Sequence, residues 1–98
     1  QRAVEIEYLK ADNARLKAQI EAEQQLIQER ERLAADMEKY LEARKACTAE
    51  MHRLAPLAEA GTASTQEVEA ILAQNARLEE EYKLLNSRSS DLKARRRI

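Results

Sequence analysis

Turn-forming residues are nearly missing from this chain. It holds one glycine, Gly61, and one proline, Pro56, in 98 residues. A domain of many short elements needs more places to reverse direction than that, so most of the chain is expected on one or two long helices. Tryptophan and phenylalanine are absent and only three tyrosines are present, which argues against a large globular core. A single cysteine, Cys47, excludes an internal disulfide and fits a reducing, intracellular compartment. No run is apolar enough to span a bilayer. Neither sign of charge prevails: 17 basic and 18 acidic side chains give a net charge of −1, so no global field points to nucleic acid or membrane.

What is abundant is the alphabet of helical rods. Charged residues make up 36% of the chain, and Ala, Glu, Arg, Leu and Gln dominate it, the profile of long helices and coiled coils. The chain opens on Gln1 with the apolar pattern already running at Ile6, which reads as a segment of a longer protein.

Two copies of one phrase stand out. Residues 9 to 16 read LKADNARL and residues 71 to 78 read ILAQNARL. In each, an asparagine follows one large apolar residue by four positions and precedes another by three, so helical spacing sets Asn13 and Asn75 in an apolar seam. With Ile6 as position a of a heptad, Ile6, Asn13 and Ile20 occupy a, and Leu9 and Leu16 occupy d. Glu5 at g can then reach a partner's Lys10 at e, and Asp12 a partner's Lys17. Such contacts favour a partner running in the same direction and in register.

The middle stretch is less tidy. Leu26, Leu33, Tyr40, Cys47 and Leu54 form one seven-residue column, with Ile27, Ala34 and Leu41 beside it. Met37 and Met51 supply the alternate layer, but Glu23, Arg30 and Arg44 fall where apolar residues are expected. The steps from Ile20 to Glu23 to Leu26 mark a heptad slip of the stammer kind. This stripe is wider than two strands need and leaves room for a third or fourth helix. The last stretch is regular again, with Val68, Asn75 and Tyr82 alternating with Ile71, Leu78, Leu85 and Leu92. Ser64, three residues before Glu67, predicts a capping box that opens this helix.

Between them lies HRLAPLAEAGTASTQE. Pro56 removes a helical hydrogen bond, at a cost of about 3 kcal/mol in a helix interior, and Gly61 adds flexibility. The chain either kinks and continues or turns back into a helical hairpin. Continuation is favoured, because the column through Leu54 passes Gly61 and reaches Val68, Asn75 and Tyr82 still in steps of seven. In a parallel in-register dimer each asparagine meets its twin, the role of an a-position Asn that fixes register and strand number. In a hairpin, Asn75 would instead lie opposite the region of Lys45.

Chemistry has little to work with. The only histidine, His52, sits five residues after Cys47 with Glu50 between, a spacing that matches no usual zinc-ligand pair, and no second Cys or His completes a shell. His52 reads as a solvated side chain and Cys47 as a small core residue. No Ser–His–acid set and no glycine-rich phosphate loop is present. The segment is therefore expected to be no enzyme and to hold no cofactor.

Charge distribution is what points to binding. Glu67, Glu69, Glu79, Glu80 and Glu81 are followed by Lys83, Arg88, Lys93, Arg95, Arg96 and Arg97, opposed by Asp91. These cations either complement the helix dipole and begin a solvated linker, or form a docking surface for an acidic partner. Arg88, Lys93, Arg95, Arg96 and Arg97 are the candidates, with Lys10, Arg15 and Lys17 a smaller group. A basic-zipper factor carries its basic region ahead of the zipper, the reverse of this order, and the basic end lacks stacking aromatics, so nucleic acid is disfavoured. An acidic protein lattice such as a microtubule fits better.

The Ala/Arg/Glu-rich texture, the NARL seams, the Pro56 interruption and the RRR end together resemble the microtubule-binding coiled coil of kinetoplastid kinetochore proteins. The likeness is one of style over the whole chain, with no motif matched residue by residue. It implies a dimeric kinetochore or cytoskeletal element that grips microtubules through basic side chains.

The expected fold is thus all-α: a long parallel two-stranded coiled coil, helical over 1–54, slipping near 20–26, kinked or weakened over 55–64 and helical over 65–98 with a basic end. The expected function is a non-catalytic homodimeric rod in a cytoskeletal or kinetochore protein, with possible binding to microtubules. The alternative is a helical hairpin that forms a four-helix bundle and assembles with other coiled-coil proteins.

Overall fold

The computed structural model describes residues 2–95. Two helices account for nearly all of them: α1, Arg2–Glu59, and α2, Thr65–Arg95. No strand occurs among the described residues. The all-α class and the disruption within 55–64 are as the composition predicts. The chain divides into two compact units, Gln1–Arg32 and Leu33–Ile98.

The first unit is helical throughout its described residues, and most of its large apolar side chains face solvent. Ile6 is 50% exposed, Leu9 58%, Leu16 42% and Ile20 54%. Leu26 is half-buried, whereas Ile27 beside it is 52% exposed.

The second unit is a helical hairpin. Its core is the two seven-residue columns brought face to face: Tyr40, Cys47 and Leu54 from α1 against Ile71, Leu78 and Leu85 from α2. Leu33, Met37, Ala43, Met51 and Ala63 pack around them, and Leu92 continues the buried column of α2. Three contacts establish an antiparallel register. The Tyr40 and Tyr82 rings lie 5.7 Å apart, tilted by 33°. Arg44 meets Asn75. Arg88 Nη1 lies 2.8 Å from Asp36 Oδ2, a pairing across the seam's flank that helps set helix orientation. Moving back along α1 moves forward along α2, as an antiparallel pair requires.

The seam of residues 33–59 is therefore filled by residues 65–95 of the same chain. Over this span the second strand is intramolecular and antiparallel, where a parallel copy was expected. The helix runs through Pro56, which sits in its last turn, where only one carbonyl, that of His52, loses its donor and both residues are exposed to water. Gly61 is what ends it. Its φ is +73°, the one positive value among the described residues. The surrounding bonds make a Schellman motif: the Thr62 amide donates to the Leu57 carbonyl at 2.8 Å and the Gly61 amide to that of Ala58 at 3.1 Å. The Thr62 hydroxyl adds a 3.1 Å bond to the same Leu57 carbonyl. Ser64 then caps α2, its Oγ accepting from the Glu67 amide at 3.1 Å, which is the first half of the expected capping box.

Candidate interaction site

Two features of the chain carry polar or apolar groups that packing alone does not explain. One is a polar layer inside the hairpin. Arg44 and Asn75 both stand at seam positions where an apolar residue is expected, and the antiparallel register brings them together. Arg44 Nη1 donates to Asn75 Oδ1, and Asn75 Nδ2 donates to Glu79 Oε1 at 3.4 Å, one turn along α2. Both residues are half-buried. The amide thus accepts from a guanidinium, the stronger charge-assisted kind of bond, and no buried side-chain polar atom among the described residues lacks a partner. Asn75 therefore finds Arg44 where its twin was expected, one residue from the Lys45 region that the hairpin alternative indicated.

The other feature is the seam of the first unit. Asn13 is exposed there along with Ile6, Leu9, Leu16 and Ile20. On its flanks Asp12 is half-buried beneath Arg15, which holds its Oδ1 from Nη2 at 2.8 Å. Lys10 Nζ lies 3.9 Å from Glu7. Lys17 is exposed. This face is an exposed apolar stripe with charged borders and a single amide at its centre.

Of the basic candidates at the C-terminal end, Arg88, Lys93 and Arg95 fall among the described residues. Arg88 stays exposed while pairing with Asp36 across the hairpin. Lys93 and Arg95 lie in the last turn of α2, where they complement the negative end of the helix dipole, while Arg96 and Arg97 lie outside the described residues. Cys47 is 1% exposed in the core and His52 is on the surface, so the two do not share a face. Among the described residues, no three His, Cys, Asp or Glu side chains converge as metal ligands would. On the exposed face of α1, Arg53 hydrogen-bonds Glu50 and its positive charge adds to the effect, so Glu50's carboxyl is held below its ordinary range.

Asp36 and Arg44 are the partners of Arg88 and Asn75 that sequence reasoning passed over. Arg44 did carry a signal, since it interrupts an apolar column as Asn75 does, and two interruptions in facing columns are a pairing hint. Asp36 carried none, because an acidic residue on a helix flank is ordinary. Comparison with family models, curated proteins and solved structures returns no match.

Proposed function

We propose that this chain is a non-catalytic assembly element of a larger cytoskeletal structure, a helical hairpin that carries on α1 a coiled-coil seam for joining other helices. The observation that carries this reading is the contrast between the two units. Residues 33–95 bury their columns against each other, whereas the equally regular column of Ile6, Leu9, Leu16 and Ile20 stays exposed. Exposed apolar stripes of this kind mark interaction surfaces. The test is the mass of the full chain in solution with and without Leu16→Lys. Association that vanishes with the substitution supports the role, and an intact chain that runs as a monomer at every concentration ends it.

A second reading places the contact on the hairpin instead. Leu41 and Leu72, which flank the seam, are 59% and 56% exposed, and two hairpins could pack there as a four-helix bundle. Replacing both with Glu would then abolish association while Leu16→Lys would not.

The finer assignment, a kinetochore rod that binds microtubules, rests on the texture of the sequence and on the cations of the C-terminal end. That docking surface comprises Arg88, Lys93, Arg95, Arg96 and Arg97, of which Arg88 also pairs with Asp36 across the hairpin. Reversing Arg95, Arg96 and Arg97 to Glu is expected to abolish microtubule pelleting at low salt, and unchanged pelleting removes the assignment.

A further inference from the structure

We infer that the exposed seam of residues 1–32 is completed by a second copy of the same helix, parallel and in register, so that the chain dimerises through its N-terminal helix while its hairpin stays intramolecular. This rests on the assembly reading above and names the partner.

The choice of occupant comes from three features of the seam. The first is branching. Ile6 and Ile20 at a with Leu9 and Leu16 at d is the arrangement that favours two parallel strands over three or four. Ile27, exposed although Leu26 beside it is half-buried, extends the a column by one more heptad.

The second feature is charge. In a parallel pair, Glu5 faces Lys10 of the partner copy and Asp12 faces Lys17, and symmetry gives four such contacts. Arg15 takes only Oδ1 of Asp12 in its two bonds, which leaves Oδ2 for the lysine. An antiparallel pair instead sets Glu5 and Asp12 against acidic residues, and Lys10 and Lys17 against basic ones. The flanks therefore complement themselves in one direction only.

The third is the pair of asparagines. Asn75 is already bonded to Arg44 and Glu79, so it is not free to meet a twin. Asn13 is exposed at its a position. In the seam it would be desolvated, and the symmetric partner that answers a lone amide best is another copy of itself. The two copies of the NARL phrase thus serve different ends. One closes the hairpin within a chain, and the other joins two chains.

The test uses the full chain and a charge swap. One variant carries Glu5→Lys with Asp12→Lys, and the other carries Lys10→Glu with Lys17→Glu. The unmodified chain is expected at twice its 11.2 kDa mass in sedimentation equilibrium. Each variant alone should dimerise roughly tenfold to a hundredfold more weakly, since four attractive contacts become repulsive. Mixed together, the two variants should restore the dimer as a heterodimer. All substituted positions are on the helical surface outside the hairpin, so each variant should keep the hairpin's melting transition. Direction is read separately with Leu9→Cys, which in a parallel in-register pair sets two thiols across the seam within disulfide reach, while Cys47 is too buried to compete.

Rapid oxidation of Leu9→Cys to a covalent dimer, together with rescue on mixing, supports the inference. Dimers that ignore the charge swap, or that fail to cross-link, overturn it, and if they still dissociate with Leu16→Lys the assembly role survives with a different geometry. A chain that is monomeric throughout overturns both.

Discussion

Asn13 and Asn75 open the same NARL phrase and have opposite surroundings in space, so the same substitution should act on them with opposite sign. Asn75→Leu takes the acceptor from a half-buried guanidinium and is expected to lower hairpin stability by about 1 kcal/mol. Changing Arg44 to Leu as well should more than recover the loss, because an apolar pair then fills the seam, and the double-mutant cycle should show a coupling of about 1 kcal/mol. Thermal melts of the four chains measure it. Asn13→Ile should instead raise the stability of the assembled form and loosen its strand number, as removal of an a-position amide does, and sedimentation equilibrium reads that change. Equal and same-signed effects at both sites would mean the two amides share one environment, against the bond from Arg44 to Asn75.

Among elements, the turn decides the fold. Gly61 has open space where a Cβ would go, so Gly61→Ala meets no clash, but a φ of +73° is strained for any L side chain. The expected loss is about 1 kcal/mol, a fall in melting temperature of roughly 4–8 °C for a unit of this size. Ser64→Ala removes the bond to the Glu67 amide and should cost about the same. A core change is more severe. Leu78 is 5% exposed between the columns, and Leu78→Ala should cost on the order of 3 kcal/mol, enough to melt a small hairpin at moderate temperature. The exposed Glu50–Arg53 pair gives the element a slight acid sensitivity. Glu50's carboxyl is depressed by Arg53 in the folded chain, so its contribution is whole near neutral pH and fades as pH falls through the folded value. Melting temperatures of Glu50→Gln should therefore decline less on acidification than those of the parent chain.

How much of this was legible in the sequence differs by element. The helices, the seam columns and the Ser64 cap follow from spacing and residue type, which local physics settles. Direction was misread between Leu54 and Val68, where the columns keep a seven-residue phase through Gly61. That phase does not fix the direction of the second helix once the first is broken, since a hairpin tolerates several loop lengths. What outweighs it is a single glycine able to adopt a left-handed backbone, followed by Thr62 and the Ser64 cap. Asp36 and Arg88 are 52 residues apart, and nothing on either helix alone announces such a contact.

For the whole molecule, the division of labour is between a portion that satisfies its own seam and a portion that offers one. Arg88 also pairs with Asp36 across the hairpin. Exchanging the two charges, with Asp36→Arg and Arg88→Asp, should leave stability within about 0.5 kcal/mol of the parent, whereas Asp36→Arg alone sets two guanidinium groups together and should lower it by up to about 1 kcal/mol. Circular dichroism melts distinguish the two.

The phase kept across the turn has a consequence of its own. Were residues 60–64 to straighten into helix, the columns on either side would already be aligned on one face, and two opened chains could trade arms and remake every contact between them. The left-handed residue at 61 is the latch against that exchange. Mutations that favour helix there are expected to convert a self-contained fold into an arm-swapped pair, a known hazard where a short hinge separates complementary segments.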